Sequence, residues 1–262
     1  MKSKAIFFDL DNTLWNEAML IPQSTMDAVR QLHENGHKLF VCTGRARGNL
    51  RQEQLFTLPF DGIIAACGNY IEIDGQVIYE NLIEPELLKL AIDTMNACRM
   101  PMVLEGSYDH WISNWGFETD PYVTYLFQTL GESAHVLYGY EEGMRINKIS
   151  TLILPETDYK TIKETLSGHL TFLEHPYDVL EILPHRTSKA LGIERVCREL
   201  GLQREDTYGL GDSVNDLEML SFVGHGIAMG DGQEAAKQAA EYVTAGVNED
   251  GVYLAMKHYG LL

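Results

Sequence analysis

A chain of 262 residues with 45% hydrophobic content is long enough to bury one generous core or two modest ones. Its 38 Asp and Glu against 20 Lys and Arg leave a formal net charge of -18, which argues against nucleic acid or an anionic membrane as a partner. The four cysteines, Cys42, Cys67, Cys98 and Cys197, are too scattered for a zinc site or a disulfide framework, and they read as small buried side chains in a reducing cytoplasm.

Met1-Lys2-Ser3-Lys4 leads into Ala5-Ile6-Phe7-Phe8, an apolar run too short for a leader sequence and suited to a strand buried on both faces. A helix follows over 22–35, with Met26, Val29 and Leu32 on one stripe and Gly36 as its stop. Lys38 to Cys42 is a second strand running into Thr43-Gly44-Arg45; a polar helix and a third strand over 62–66 come next. That βαβαβ order builds a parallel sheet. Around Asp74-Gly75 the alternation of Ile71, Ile73, Val77 and Tyr79 predicts a hairpin with a type I′ turn.

From about residue 84 the pattern changes. It predicts a helix over 84–99, short strands over 102–105 and 110–114, a helix over 120–130, and a longer strand over 147–154. A helix over 158–167 and strands over 171–174 and 179–183 close this stretch. Hairpin-sized strands with a few helices make an α+β unit of about a hundred residues. After Pro184 the doubly wound pattern resumes: a helix over 188–200, a strand over 207–211, an acidic turn, a helix to Phe222, a strand over 226–229 and an amphipathic helix ending near Tyr259. The expected organisation is therefore α/β: a Rossmann-like, doubly wound parallel core made of residues 1–83 and 185–262, with a cap unit inserted over 84–184. No run is long and apolar enough to suggest a membrane span.

Two acidic strings carry the chemistry: Asp9-Leu10-Asp11-Asn12-Thr13 and Gly211-Asp212-Ser213-Val214-Asn215-Asp216. Each follows an apolar strand, and open α/β sheets build their sites at the carboxyl ends of such strands. Asp9 and Asp11, two positions apart, can turn toward one cavity. One carboxylate can attack phosphorus while its neighbour handles protons. A carboxylate approaching a phosphate meets repulsion, which a hard cation must neutralise, and Asp212 supplies a second anionic ligand for it. Thr43 offers a hydroxyl, and Gly44 a backbone N–H, for phosphate oxygens. Lys189, in the first turn of the helix after the insertion, adds a point positive charge.

With these motifs in order, the chain resembles the haloacid dehalogenase superfamily phosphatases, in particular the Cof-type group with an α/β cap inserted after the third core strand. The matching strings are Asp9-x-Asp11-x-Thr13, Val41-Cys42-Thr43-Gly44-Arg45, Thr187-Ser188-Lys189-Ala190 and Gly211-Asp212-x-x-Asn215-Asp216. The tail from Ile227-Ala228-Met229-Gly230 to Glu249-Asp250-Gly251-Val252 is also typical. The resemblance implies that Asp9 becomes an aspartyl-phosphate and that Asp11 protonates the leaving oxygen and then activates water. It implies Mg²⁺ held by the Asp9 and Asp212 carboxylates and the Asp11 backbone carbonyl, with Asp216 orienting ligands and Asn215 contacting phosphate. The chain departs from the usual pattern at Asn12, where glycine is common, and at Gly68-Asn69-Tyr70 in place of Asn-Gly-Ala.

The expected activity is Mg²⁺-dependent hydrolysis of a small phosphorylated metabolite, above all a sugar phosphate, by a cytoplasmic monomer or small homo-oligomer. Within the superfamily the alternative is a phosphomutase. A dehalogenase has no use for Asp11. From a different class comes a receiver-type signalling domain, which carries its acceptor aspartate after the third strand; here that strand ends in Ala66-Cys67-Gly68. In the cap, Glu105, Tyr108, His110, Trp111 and Trp115 mix polar groups with aromatic faces as a sugar pocket would, which makes Glu105 and His110 the expected specificity residues.

Overall fold

The computed structural model describes residues 3–262, so Met1 and Lys2 lie outside the described residues. Two compact units divide the chain: one takes in the residues up to Gly44, Gln52–Tyr79 and Ser188–Leu262, the other Arg45–Arg51 and Glu80–Thr187. The inserted unit thus begins and ends a few residues away from the expected 84 and 184. It also claims the segment 45–51, which the sequence reading left in the core.

The first unit opens with β1 (Ala5–Phe8), every residue of which is buried. Helix α1 (Gln23–Glu34) follows Pro22 and buries Thr25, Ala28, Val29 and Leu32; Gly36, at a φ of 82°, ends the run. Strand β2 (Lys38–Cys42) matches its expected bounds. The polar helix expected next is instead a 3₁₀ turn, Arg47–Asn49, and a short helix α2 (Glu53–Phe56). Strand β3 (Gly62–Ala65) and the pair β4 (Tyr70–Ile73) and β5 (Gln76–Glu80) follow. Asp74 and Gly75 sit at φ of 48° and 73°, the double left-handed geometry of a type I′ turn.

The second unit is a six-stranded sheet with helices. Helix α3 (Pro85–Ala97) starts on a proline, whose missing N–H costs nothing in a first turn. Strands β6 (Val103–Glu105) and β7 (His110–Ser113) form an antiparallel hairpin. Helix α4 (Pro121–Leu130) is capped by Asp120, which accepts from Val123 N at 2.9 Å. Then come β8 (Ala134–Leu137), β9 (Lys148–Leu152), α5 (Tyr159–Leu166), β10 (Leu170–Glu174) and β11 (Val179–Pro184). The strand order is β10-β11-β9-β6-β7-β8, with β7 and β8 parallel. Leu88, Ile92 and Met95 of α3 and Ile162 of α5 share one apolar cluster, while Val123 and Leu126 of α4 join Val103 and Ile112 in another. Burying each such side chain contributes roughly 1.5–3 kcal/mol.

The chain then returns to the first unit with α6 (Lys189–Leu200), β12 (Thr207–Gly211), α7 (Leu217–Phe222), β13 (His225–Ala228), α8 (Glu234–Ala239), β14 (Tyr242–Val243) and α9 (Gly251–His258). The sheet order is β14-β13-β12-β1-β2-β3-β4-β5. Pairing is parallel from β14 to β3 and turns antiparallel at β4. Because β1 lies between β2 and β12, the residues that leave all three strands gather at one edge of the sheet, the expected place for a site. No helix among the described residues is long and apolar enough to cross a membrane.

Candidate active site

Asp9 is the first residue past β1. Its N–H donates to Leu210 O of β12 at 2.9 Å, so the parallel ladder runs one residue beyond the strand and holds the aspartate in place. Its side chain receives Lys189 Nζ at 2.5 Å on Oδ1. The same ammonium donates to Asp216 Oδ1 at 2.7 Å and to Asn215 Oδ1 at 3.3 Å. Lys189 reaches this point because Ser188 caps α6, its hydroxyl accepting from Leu191 N at 3.3 Å.

The turn after β12 is built around Asp216. Its Oδ2 accepts from the backbone N–H groups of Asp212, at 3.0 Å, and Ser213, at 3.1 Å. Glycine at 211 is a steric requirement, since a Cβ there would stand 2.4 Å from Asp216 Cγ. Carboxylate oxygens of Asp9, Asp212 and Asp216 come within 4.8 Å of one another, and Asp9 and Asp216 are buried.

Burial first, and then the neighbouring Asp216 carboxylate, push Asp212 up to about 7 and hold Asp9 well above the usual carboxylate range. Lys189 is pulled down by its own burial but pushed further up by Asp216 and Asp9, so it keeps its proton. One lysine therefore faces three carboxylates. The residual negative charge and the all-oxygen donor set fit a hard divalent cation.

Thr43 leaves β2 as expected: its N–H donates to Ile64 O at 2.8 Å and its carbonyl accepts from Cys67 N at 3.1 Å. Gly44 adjoins Asn215, whose Nδ2 would be 3.4 Å from a Cβ at position 44. Asp11 is half-buried and accepts from Trp15 Nε1 at 3.0 Å. Its charge acts on both Asp9 and Asp212, although its carboxylate is not one of the three that converge. Asn12 has a φ of 54°, the left-handed turn that asparagine tolerates where glycine is common.

The sequence reading missed what aligns α6. Ala66 and Cys67 have φ of 48° and 53°, and Gly68, at 93°, lies so close to α6 that a Cβ there would be 2.4 Å from Ser188 O. The only signal was the Gly68 that departs from the family pattern.

The expected aromatic and polar pocket of the cap does not form as one cavity lining. Glu105 and His110 are directly paired across β6 and β7, whereas Trp111 alternates to the other face and packs on the cluster that holds α3 and α5. Tyr108 is exposed. Glu105 is wholly buried, and its carboxylate is already engaged. Oε2 accepts from Asn49 Nδ2 at 2.6 Å and Tyr122 Oη at 3.3 Å; Oε1 accepts from Ser150 Oγ and faces Lys148 Nζ at 3.4 Å. A substrate hydroxyl would have to displace these partners, so the geometry counts against the direct contact expected of Glu105.

The carboxyl edge of a largely parallel sheet thus carries a buried aspartate, a lysine shared between two carboxylates and a cluster of three converging carboxylates. The chain belongs to the haloacid dehalogenase-like hydrolases, whose family model matches residues 6–256, and it is a phosphatase of that superfamily. It is 31% identical to YkrA of Bacillus subtilis (strain 168), with both chains covered in full. It is 29% identical to the 5-amino-6-(5-phospho-D-ribitylamino)uracil phosphatase YitU of the same organism, over 98% of each chain. The solved structure of the subclass IIB sugar phosphatase BT4131 superposes with a TM-score of 0.81 at 28% identity, covering 99% of this chain and 100% of that one. Phosphatases of this family generally use a divalent metal.

Proposed function

We propose that this phosphatase hydrolyses small phosphomonoesters, sugar phosphates foremost, through an aspartyl-phosphate on Asp9, with Mg²⁺ as its metal. The observation that carries the reading is Lys189, buried and shared between Asp9 at 2.5 Å and Asp216 at 2.7 Å beside the Asp212 carboxylate. Asp9, Asp212 and the Asp11 carbonyl would hold the cation, with Asp216 orienting them. The bound ion would neutralise phosphate oxygens and let an anionic nucleophile approach.

In the first step an Asp9 carboxylate oxygen forms a bond to phosphorus as the ester oxygen leaves with a proton from Asp11. In the second, water attacks phosphorus and gives its proton to Asp11, which releases inorganic phosphate and restores both aspartates. Lys189 holds Asp9 in position and balances its charge. The Thr43 hydroxyl, the Gly44 N–H and Asn215 take the phosphate oxygens.

These groups address only what all phosphomonoesters share, so discrimination among substrates is assigned to the second unit. The protein would work in the cytoplasm as a monomer or small homo-oligomer. A panel of phosphomonoesters assayed for released phosphate with Mg²⁺, and again after chelation, tests the whole reading. The expected result is Mg²⁺-dependent turnover with the highest kcat/KM on a sugar phosphate. Full activity after exhaustive metal removal would end the metal assignment, and a best substrate without a sugar would end the substrate class.

A further inference from the structure

We propose that Asn49 and Glu105 are positioning residues for the phosphatase reaction. They form a buried clasp by which the second unit fixes the course of residues 45–51 and, through the Gly44–Arg45 peptide bond, the presentation of Thr43 and Gly44. The catalytic meaning of the clasp rests on the reading that Thr43 and Gly44 hold the phosphate.

Four observations converge on it. Segment Arg45–Arg51 directly continues the phosphate-binding residues in sequence, yet it packs as part of the second unit. Asn49 is 1% exposed and Glu105 is 0% exposed, and the Asn49 amide donates to Glu105 Oε2 at 2.6 Å and to Tyr122 Oη at 3.0 Å. The backbone beside this bond is flush with the β6–β7 hairpin, since a Cβ on Gly48 would stand 2.5 Å from His110 Cε1 and 2.9 Å from Gly106 O. Arg51 Nε donates to Gly48 O at 2.8 Å and folds the segment on itself.

The clasp is also costly as a device for stability alone. His110, wholly buried against Gly48, has no hydrogen-bond partner on either ring nitrogen among the described residues, and Asn49 Oδ1 has none there either. An apolar contact of the same volume would hold the segment with no unsatisfied groups. What the polar version adds is geometric: a hydrogen bond confines its two partners to a narrow range of distances and a limited range of directions, whereas an apolar contact can slide, and this sets the register of the loop on the hairpin. The segment so held carries Arg45, Arg47 and Arg51 in a chain of net charge -18. Fixing its path therefore also fixes three cations close in sequence to the phosphate-binding residues.

The test uses the full-length enzyme with Mg²⁺ and p-nitrophenyl phosphate, a minimal non-sugar substrate, alongside the phosphomonoester panel. Asn49→Asp sets a second carboxylate against Glu105 and should release the segment. KM should rise by about tenfold or more on every substrate alike, kcat should change by less than about threefold, and trypsin should begin to cut after Arg47. The double variant Asn49→Asp with Glu105→Gln again pairs an amide with a carboxylate, and it should return KM and trypsin resistance to near wild type. Gly48→Ala should reproduce the single variant and serves in its place if Asn49→Asp does not fold.

Unchanged KM and unchanged cleavage in both single variants would overturn the proposal. So would a changed rank order of substrates, which marks a direct substrate contact, or a double variant that restores neither readout. If Thr43→Ala kept the wild-type KM, the phosphate reading would fail and take the catalytic meaning of the clasp with it. The trypsin measurements would still decide whether the clasp itself exists.

Discussion

Each unit of this protein buries one lysine among carboxylates, and the two clusters are tuned in opposite senses. Around Lys189 in the first unit, Asp9, Asp212 and Asp216 crowd together, and burial with mutual repulsion drives Asp212 up to about 7. Around Lys148 in the second unit, Glu181 receives Lys148 at 2.6 Å and lies 3.2 Å from His175 Nε2. Burial would push Glu181 up, yet Lys148 and His175 more than offset it and bring the group down to about 2. Glu105, whose Oε1 lies 3.4 Å from Lys148 Nζ, has its oxygens engaged by Asn49, Tyr122 and Ser150. A site that must receive a cation leaves its carboxylates under-neutralised, whereas one that holds parts together neutralises them within the chain.

That contrast can be broken by substitution. The largest effect is expected at Asp9: Asp9→Asn should lower kcat by roughly four orders of magnitude or more while the protein stays folded. Phosphate-release kinetics beside a thermal melt decide this, and wild-type turnover in the variant would end the covalent mechanism. Next comes the structural cluster. Lys148→Met strands the buried Glu105 and the half-buried Glu181 carboxylates and should cost about 3 kcal/mol of stability or more. A urea titration in which the variant unfolds with the wild-type midpoint would show the second cluster to be as loosely held as the first.

His110 gives a pH test of the second unit. Its burial, aided by Lys148 and Arg51 against Glu105 and Asp109, lowers it from 6.5 to about 4. Between those two values the unfolded chain takes up a proton that the folded chain refuses. Stability should therefore fall as pH drops from 6.5 toward 4 and stop falling on this account below about 4, a loss on the order of 3 kcal/mol. His110→Gln should remove that part of the slope. Identical slopes for the two proteins, measured as urea midpoints across that range, would exclude His110 as the source.

The smallest effect has the opposite sign. Asp212→Asn removes a like charge and should raise the metal-free melting temperature, with about 1 kcal/mol corresponding to some 2–4 °C. The same variant should lose the further rise that added Mg²⁺ gives the wild type. A variant that melts lower without metal would mean that Asp212 is held by favourable contacts and is not strained by its neighbours.

Much of the first unit was legible in the sequence because its signals are local: apolar strands, the residues that follow them, and Ser188 before Lys189. The hairpin at Asp74-Gly75 was legible for the same reason, as its turn chemistry lies in two adjacent residues. Strands β8 and β14 and helix α8 were missed, being too short for periodicity to show. The allegiance of residues 45–51 left no trace in sequence, since it depends on a hydrogen bond between Asn49 and Glu105, 56 positions apart. The side chains expected to share one pocket over 105–115 are divided for a related reason. Composition placed those side chains together, but strand alternation sent His110 and Trp111 to opposite faces.

The placement of β1 between β2 and β12 governs the order in which a growing chain can finish its parts. Ala5 pairs with Lys38 on one side and with Thr207 on the other, so one flank of the central strand stays open until the chain has been made as far as residue 207 and beyond. The second unit needs only residues 45–51 and 80–187, all of which precede Lys189 and Asp212. Synthesis can thus complete the inserted half first, reversing the usual N-terminal priority. A nascent chain interrupted near Thr187 would carry that unit in full while lacking Lys189 and the second acidic string.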